Sequence, residues 1–359
     1  MKNDAVYSYQ MQEIAHINEK IKELLSVLPD FCSEYLYVKT ATNKYQPRTR
    51  LSYLQEFQTF FKWLNTSHES FMDMPIRNFT LEQMKLITPN DILAFLSAMD
   101  YYVTDEGVRT NSASAKARKL AAIRSLFAFF VSNKGFPYNV AASVDTPKVR
   151  DKDIVYMSTE QQRVFLKTVD NGKFITNSGN LREYDEQNPY HVRDVAIVSL
   201  FLGTGIRISE LVGIDVSDID FRDSSLYVRR KGGNEQKIFF SSDVEDTLLS
   251  YLDYSREQLL KGNNEEPALF LSQRAKRISV RTVQELVSKY VDYTFGPDNK
   301  KGFSAHKLRS TYASNLLEES DNIYLVAKAL GHSDLSTVQK YAKIKDMERA
   351  AISLRSDNS

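Results

Sequence analysis

Arg207, Lys231, His306, Arg309, His332 and Tyr341 follow one another through the second half of this 359-residue chain. Each can grip or protonate a phosphate oxygen, and the tyrosine can act as a nucleophile. Arg207 lies in Thr204-Gly205-Ile206-Arg207-Ile208-Ser209-Glu210-Leu211, after the apolar run Val195 to Leu202. The glycine predicts the end of one helix, with Arg207 near the start of the next, where unpaired N–H groups favour anions. His306 and Arg309 sit three apart in Ser304-Ala305-His306-Lys307-Leu308-Arg309, so one helix face offers both donors, with Ser304 as the expected N-cap. His332 follows Leu330-Gly331, a helix-ending signal, and Tyr341 falls on the next short helix.

Attack on a phosphodiester builds negative charge on the non-bridging oxygens, and two arginines can hold that charge as planar forks. Histidines add hydrogen bonds or move a proton. A lysine suits protonation of the departing 5′ oxygen, because its pKa falls readily beside other cations. A phenol, with an ordinary pKa near ~10, needs such cations to ionise. The arrangement calls for neither a metal nor a cofactor.

These strings resemble the catalytic boxes of the tyrosine recombinases, the lambda-integrase family. Thr204 to Ile214 with Ser217-Asp218-Ile219-Asp220 is similar to the Xer branch, which resolves chromosome dimers. Chain length and the N-terminal extension resemble its stand-alone type, which works without a second Xer protein. The resemblance implies Arg207 and Arg309 as the paired catalytic arginines, Glu210 as the acid that buttresses Arg207, and His306 and His332 as the two histidines. Tyr341 becomes the nucleophile that forms a 3′-phosphotyrosine. Lys231, in Val228-Arg229-Arg230-Lys231-Gly232-Gly233-Asn234-Glu235, matches the lysine of a β-hairpin turn, although the family usually shows Gly-Lys-Gly followed by a basic run. Lys237 is the alternative, and Arg230 is a phosphate-contact candidate. The resemblance further implies a homotetramer acting on two double-stranded DNA recombination sites without ATP, and it makes activation by a septal DNA translocase of the FtsK type reasonable.

Each residue alone has an ordinary reading: a lone histidine is usually structural, Lys231 between strands can be a solvated turn, and Glu210 can pair with any surface cation. The family order of all of them carries the argument. His16, His68 and His191 are read as structural or surface residues. A phage or transposon integrase shares the same boxes, as in part does a type IB topoisomerase. A catalytically dead DNA-binding protein is the reading from a different class.

The elements that must position these groups are expected to form a mainly α chain with a small β-sheet. An N-terminal helical core-binding bundle (SAM-like, residues 1–145) and a linker (146–157) precede a C-terminal α+β catalytic domain (158–359). The net charge of +1 conceals a local excess: between Arg109 and Arg150 stand eight basic residues against the single acid Asp145. In Ser112 to Val131, Leu120, Ile123, Leu126, Phe127 and Phe130 recur at helical spacing, with Lys116, Lys119 and Arg124 largely off that stripe. Tyr45 to Leu64 repeats the pattern with Leu51, Leu54, Phe57, Phe61 and Leu64, Pro47 at the helix entry and Arg48 and Arg50 on its first turn. Arg48, Arg50, Lys116, Arg118, Lys119, Arg124, Lys148, Arg150 and Arg230 are the expected DNA contacts. The stretch Ala141 to Met157, with Pro147 and the mixed run Lys148 to Asp153, holds that linker and reads as a crossing between two halves of a DNA clamp.

In the second half, strands are expected at Ser225 to Arg230, Gln236 to Phe240 and Ala268 to Leu271. Helices are expected after a Ser158–Gln161 capping box and near Asp243 to Leu260, Ser279 to Thr294, His306 to Glu319, Ile323 to Leu330 and Leu335 to Tyr341. A tail helix over Asp346 to Leu354 is expected to dock on a neighbouring protomer. Asn171 to Pro189, polar and rich in glycine and asparagine, reads as a loop insertion. One cysteine, Cys32, excludes an internal disulfide. The start Met1-Lys2-Asn3-Asp4 lacks a signal-peptide core, and the absence of a long apolar run predicts a cytoplasmic protein.

Overall fold

The computed structural model describes residues 9–42, 45–104, 107–149, 154–176, 178–230, 235–296, 302–331 and 338–342. Lys231, His332, Arg150, the Gly232-Gly233 turn and the tail over 346–354 lie outside the described residues. The chain divides into two compact units, Met1–Asp151 and Lys152–Ser359.

The first unit is helical: α1 (Tyr9–Val27), α2 (Asp30–Ala41), α3 (Pro47–Ser67), α4 (Leu81–Lys85), α5 (Pro89–Ala98) and α6 (Ala113–Lys134). The short hairpin β1 (Tyr102–Thr104) and β2 (Gly107–Arg109) joins α5 to α6. Pro47 opens α3 at its first turn, where a missing N–H costs nothing. Leu54, Phe57, Phe60, Phe61 and Leu64 of α3 pack against Leu120, Ile123, Leu126, Phe127 and Phe130 of α6 in one buried cluster. Ser112 caps α6 by accepting from Ala115 N at 3.3 Å. At its other end Gly135 takes the left-handed conformation, φ 71°.

The second unit runs α7 (Thr159–Asp170), β3 (Lys173–Ile175), β4 (Leu181–Glu183), α8 (Pro189–Thr204), α9 (Ile208–Val212), β5 (Ile219–Asp220), β6 (Ser225–Arg229) and β7 (Glu235–Phe239). These are followed by α10 (Ser242–Ser250), α11 (Arg256–Leu260), α12 (Val280–Phe295), α13 (Ala305–Ser320) and α14 (Ile323–Leu330), and residues 338–342 are helical. The sheet β5-β6-β7 is antiparallel, with Arg229 opposite Glu235 where the hairpin leaves the ladder. The Ser158–Gln161 box forms both of its bonds and opens α7.

Four expectations are corrected. The Asn171 to Pro189 insertion is the hairpin β3–β4, registered Phe174 to Arg182. Its strands are too short to show an alternating pattern, and tertiary contacts hold them: Phe174 packs on Tyr184 and Tyr290 with ring centroids 4.7 and 6.0 Å apart. Ala268 to Leu271 forms only isolated bridges, Asp215 to Ala268 and Leu271 to Arg277. All four of its residues are buried, so the run fills the core as an extended segment. The helix expected over Asp243 to Leu260 is interrupted by a π-turn at Tyr251–Ser255, where the buried Tyr251 hydroxyl accepts from Leu271 N at 3.3 Å. Finally, Ser304 stands at the N-cap of α13 without a side-chain capping bond.

Candidate active site

Apolar α8 places the first arginine. Gly205 ends this helix at φ 60°, and a Cβ there would lie 2.2 Å from Cδ1 of Tyr312 on α13. Both the left-handed backbone and the close approach require glycine. Ile206 is buried, and Arg207 becomes the N-cap of α9.

Glu210, on the first turn of α9, is the hub of the site. Its carboxylate accepts from Arg207 N at 2.8 Å and from Arg207 Nη1 at 2.7 Å. Arg230 Nη1 donates to both of its oxygens, at 3.1 and 2.9 Å. Arg309 Nη1 stands 4.0 Å from Oε2. Three guanidiniums thus converge on one carboxylate that is itself buried, the pairing an interior charge requires.

The three arginines differ in where they point. Arg309, on α13, is 4% exposed; its Nη1 donates to Gly205 O and its Nη2 to Leu330 O, each at 2.6 Å. Burial first, and then the charge of Arg207, push its pKa down to about 10, which leaves it a cation at physiological pH. Arg230 is also buried, and burial holds its pKa below the ordinary arginine value. Arg207 stays a third exposed, held on one edge by Glu210. His306, one turn before Arg309, is at the surface. Partial burial of its ring, and then the charges of Lys307, Arg309 and Arg207, hold its pKa below the ordinary histidine value.

Tyr341 lies with Val338 in an apolar cluster formed by Ala313 and Leu317 of α13 and Val326, Ala327 and Leu330 of α14. Leu330, a member of that cluster, accepts from Arg309 Nη2 through its carbonyl oxygen. The structure therefore assembles Arg207, Glu210, His306 and Arg309 in one place, with Tyr341 packed against α13 and α14, the helix that carries Arg309 and its neighbour. Lys231 and His332 are outside the described residues, but their chain neighbours meet: a Cβ on Gly331 would lie 2.8 Å from Arg230 Nε. Lys237, the alternative lysine, pairs with Asp223 and stands over the Tyr227 and Phe239 rings.

Arg230, expected to face a phosphate, is turned inward instead. Its neighbour Lys231 signalled a charged turn in the sequence, but not the direction of the guanidinium. Gln236, which no sequence signal singled out, accepts from Arg230 Nε at 3.0 Å and donates to Lys328 O at 3.0 Å.

The expected DNA contacts of the first unit separate in the same way. Lys119 is buried and donates to Glu56 of α3 at 2.6 Å; a buried carboxylate on the facing helix draws it inward. Arg124 straps the segment after α6, donating to Ala141 O at 3.1 Å and Thr146 Oγ1 at 2.7 Å. Lys116 reaches Asp100 at 2.6 Å, and Arg50 donates to Thr40 Oγ1 at 2.9 Å. Arg48 and Arg118 are exposed, with Glu13 and Glu56 as partners, and Lys148 is exposed. Among the described residues no cluster of His, Cys, Asp and Glu could hold a metal, and no helix is long and apolar enough to cross a membrane.

Comparison with known proteins gives this geometry a family. The phage integrase family model matches residues 177–348. The tyrosine recombinase XerC of Caldanaerobacter subterraneus subsp. tengcongensis is 30% identical over 328 residues, covering 89% of this chain and 84% of the relative. XerS of Streptococcus agalactiae serotype III is 30% identical over 350 residues, covering 92% and 96%. In fold, the chain resembles XerH recombinase bound to a palindromic difH substrate, with TM-score 0.64, 18% identity and coverage of 93% and 88%. It also resembles a lambda integrase tetramer bound to a Holliday junction, with TM-score 0.57, 17% identity and coverage of 86% and 75%. The chain belongs to the tyrosine recombinases, in their Xer branch, and is a site-specific enzyme that breaks and rejoins DNA.

Proposed function

We propose that Arg207, Lys231, His306, Arg309, His332 and Tyr341 form the catalytic set. Tyr341 attacks the scissile phosphorus, forming a phosphotyrosine at the 3′ end while the bond to the 5′ oxygen breaks. Lys231 gives that oxygen its proton. Arg207 and Arg309 hold the non-bridging oxygens as charge builds on them, and His306 and His332 contribute hydrogen bonds or a proton path. A partner strand's 5′ hydroxyl then reverses the step, so bond energy is conserved without ATP. The observation that supports this reading is the Glu210 hub, which gathers Arg207, Arg230 and Arg309 around one buried carboxylate.

The biological task we assign is resolution of chromosome dimers at a dif-like site during cell division, in the cytoplasm. A homotetramer would act on two sites, under a septal translocase of the FtsK type. Near-complete mutual coverage with XerS supports this over a phage or transposon integrase. Exposed Arg48, Arg118 and Lys148, with Arg150, are the proposed backbone contacts. Cells lacking the protein should accumulate chromosome dimers, relieved by the wild type and not by Tyr341→Phe. An unchanged monomer fraction would remove the chromosomal role and favour an integrase.

A further inference from the structure

The last carbonyls of an α-helix have no partner within the helix and usually turn to water or to the following backbone. At the end of α14 the Gly331 N–H caps Lys328 O at 3.1 Å, and side chains reach the last three carbonyls as well. Lys328 O accepts from Gln236 Nε2 at 3.0 Å and Ala329 O from Arg230 Nη2 at 2.9 Å. Leu330 O accepts from Arg230 Nη1 at 3.1 Å and Arg309 Nη2 at 2.6 Å. Cations at this end are also favoured by the helix dipole.

Arg230 directly follows β6, and its guanidinium reaches β7 through Gln236, α14 through two carbonyls and α9 through Glu210. One planar side chain therefore braces both strands at the base of the hairpin and ties them to two other elements, α9 and α14. Gly331, at φ 61°, leaves room for it. Lys231 is the next residue after Arg230, and His332 the next after Gly331.

We propose that Arg230 is a positioning residue for strand cleavage, locking the Lys231-bearing hairpin to the end of α14 so that proton donation to the leaving oxygen is aligned. The proposal rests on Lys231 as the proton donor. An ordinary structural ion pair would serve the fold alone, and a phosphate contact would serve affinity; cleavage chemistry separates the three.

The test uses nicked duplexes, carrying a site the protein is shown to bind, with oxygen or sulfur at the 5′ bridging position of the scissile phosphate. A thiolate leaves without a proton, so a sulfur substrate bypasses the donor. Arg230→Met should cleave the oxygen substrate roughly 10²-fold more slowly, as loss of general-acid help predicts, and should regain most of that loss on sulfur. Its DNA affinity and salt dependence should match the wild type. Gln236→Met, which removes only one support at a half-buried strand position, should slow oxygen cleavage by about fivefold, the worth of one hydrogen bond, again with recovery on sulfur. This second variant decides the matter if Arg230→Met does not fold.

Wild-type cleavage rates in the variants, slow cleavage that sulfur does not restore, or a weakened affinity with a shallower salt slope would each overturn the proposal. Lys231→Ala run alongside distinguishes the failures. Undiminished oxygen cleavage by that variant removes the proton-donor reading and the proposal with it. A slow, sulfur-restored Lys231→Ala beside unaffected Arg230 and Gln236 variants overturns the proposal alone.

Discussion

Glu210 and Asp194, among the described residues of the catalytic unit, are buried carboxylates ringed by cations, and they are built to opposite ends. Asp194 is fully buried and accepts from Arg193 at 2.8 Å, Lys289 at 2.6 Å and the Tyr290 hydroxyl at 3.2 Å. Lys289 is then enclosed by the Phe174, Tyr184 and Tyr290 rings at 4.3, 4.6 and 4.7 Å, and burial lowers its pKa against the pull of Asp194. Lys289 also donates to the Tyr184 hydroxyl at 3.4 Å, so the cluster pins the β3–β4 hairpin to α8 and α12. Glu210 has three arginines, and one of them, Arg207, remains a third exposed. A buried ion pair by itself is weak evidence of function; a buried carboxylate that aims a cation at the surface is stronger evidence.

That contrast can be broken by substitution. The largest effect is expected for Arg309→Lys, where loss of the planar fork should lower cleavage at saturating DNA by about 10²- to 10³-fold, read as adduct formation per minute with binding retained. Asp194→Asn should do the reverse: about 3–5 kcal/mol lower stability from unpaired Lys289 and Arg193, measured by denaturant unfolding, with near-normal cleavage per folded molecule. Equal damage to cleavage from both substitutions would erase the distinction.

Gly205→Ala sharpens it further. The left-handed backbone costs about 1–2 kcal/mol and the Cβ meets Tyr312, so a stability loss larger than the backbone cost alone should accompany slower cleavage as Arg207 shifts. In the first unit, Lys148→Ala should reduce the salt slope of DNA binding by about 1, whereas Lys119→Met should leave that slope unchanged, because Lys119 serves Glu56.

The smallest effect concerns His306. Its folded pKa lies below the ordinary ~6.5 of an unfolded histidine, so between the two values the unfolded state binds more protons. The stability difference therefore rises with pH through that window and is complete above about 6.5. An NMR titration should place the His306 midpoint below 6.5 and return it toward that value in Arg207→Ala; an unshifted midpoint would remove the electrostatic link.

The catalytic boxes were legible in the sequence because glycines punctuate them. Gly205 and Gly331 mark helix ends that the fold reproduces, and the 3.6-residue stripe of α6 announced its buried face. Side-chain direction was not legible. Arg230 and Lys119 read as outward charges, yet each answers a buried carboxylate, Glu210 or Glu56, brought near only by tertiary packing. The β3–β4 hairpin was hidden for the same reason, since its strands are held by Lys289 and Tyr290, more than a hundred residues downstream.

The central claim is that the Glu210-centred arginines serve a tyrosine nucleophile at position 341. The most direct measurement incubates wild type and Tyr341→Phe, in EDTA, with a suicide duplex nicked beside a bound site, and looks for a denaturant-resistant protein–DNA adduct. The account predicts an adduct with the wild type alone. An adduct with Tyr341→Phe, or none from either protein on DNA that is demonstrably bound, would contradict it.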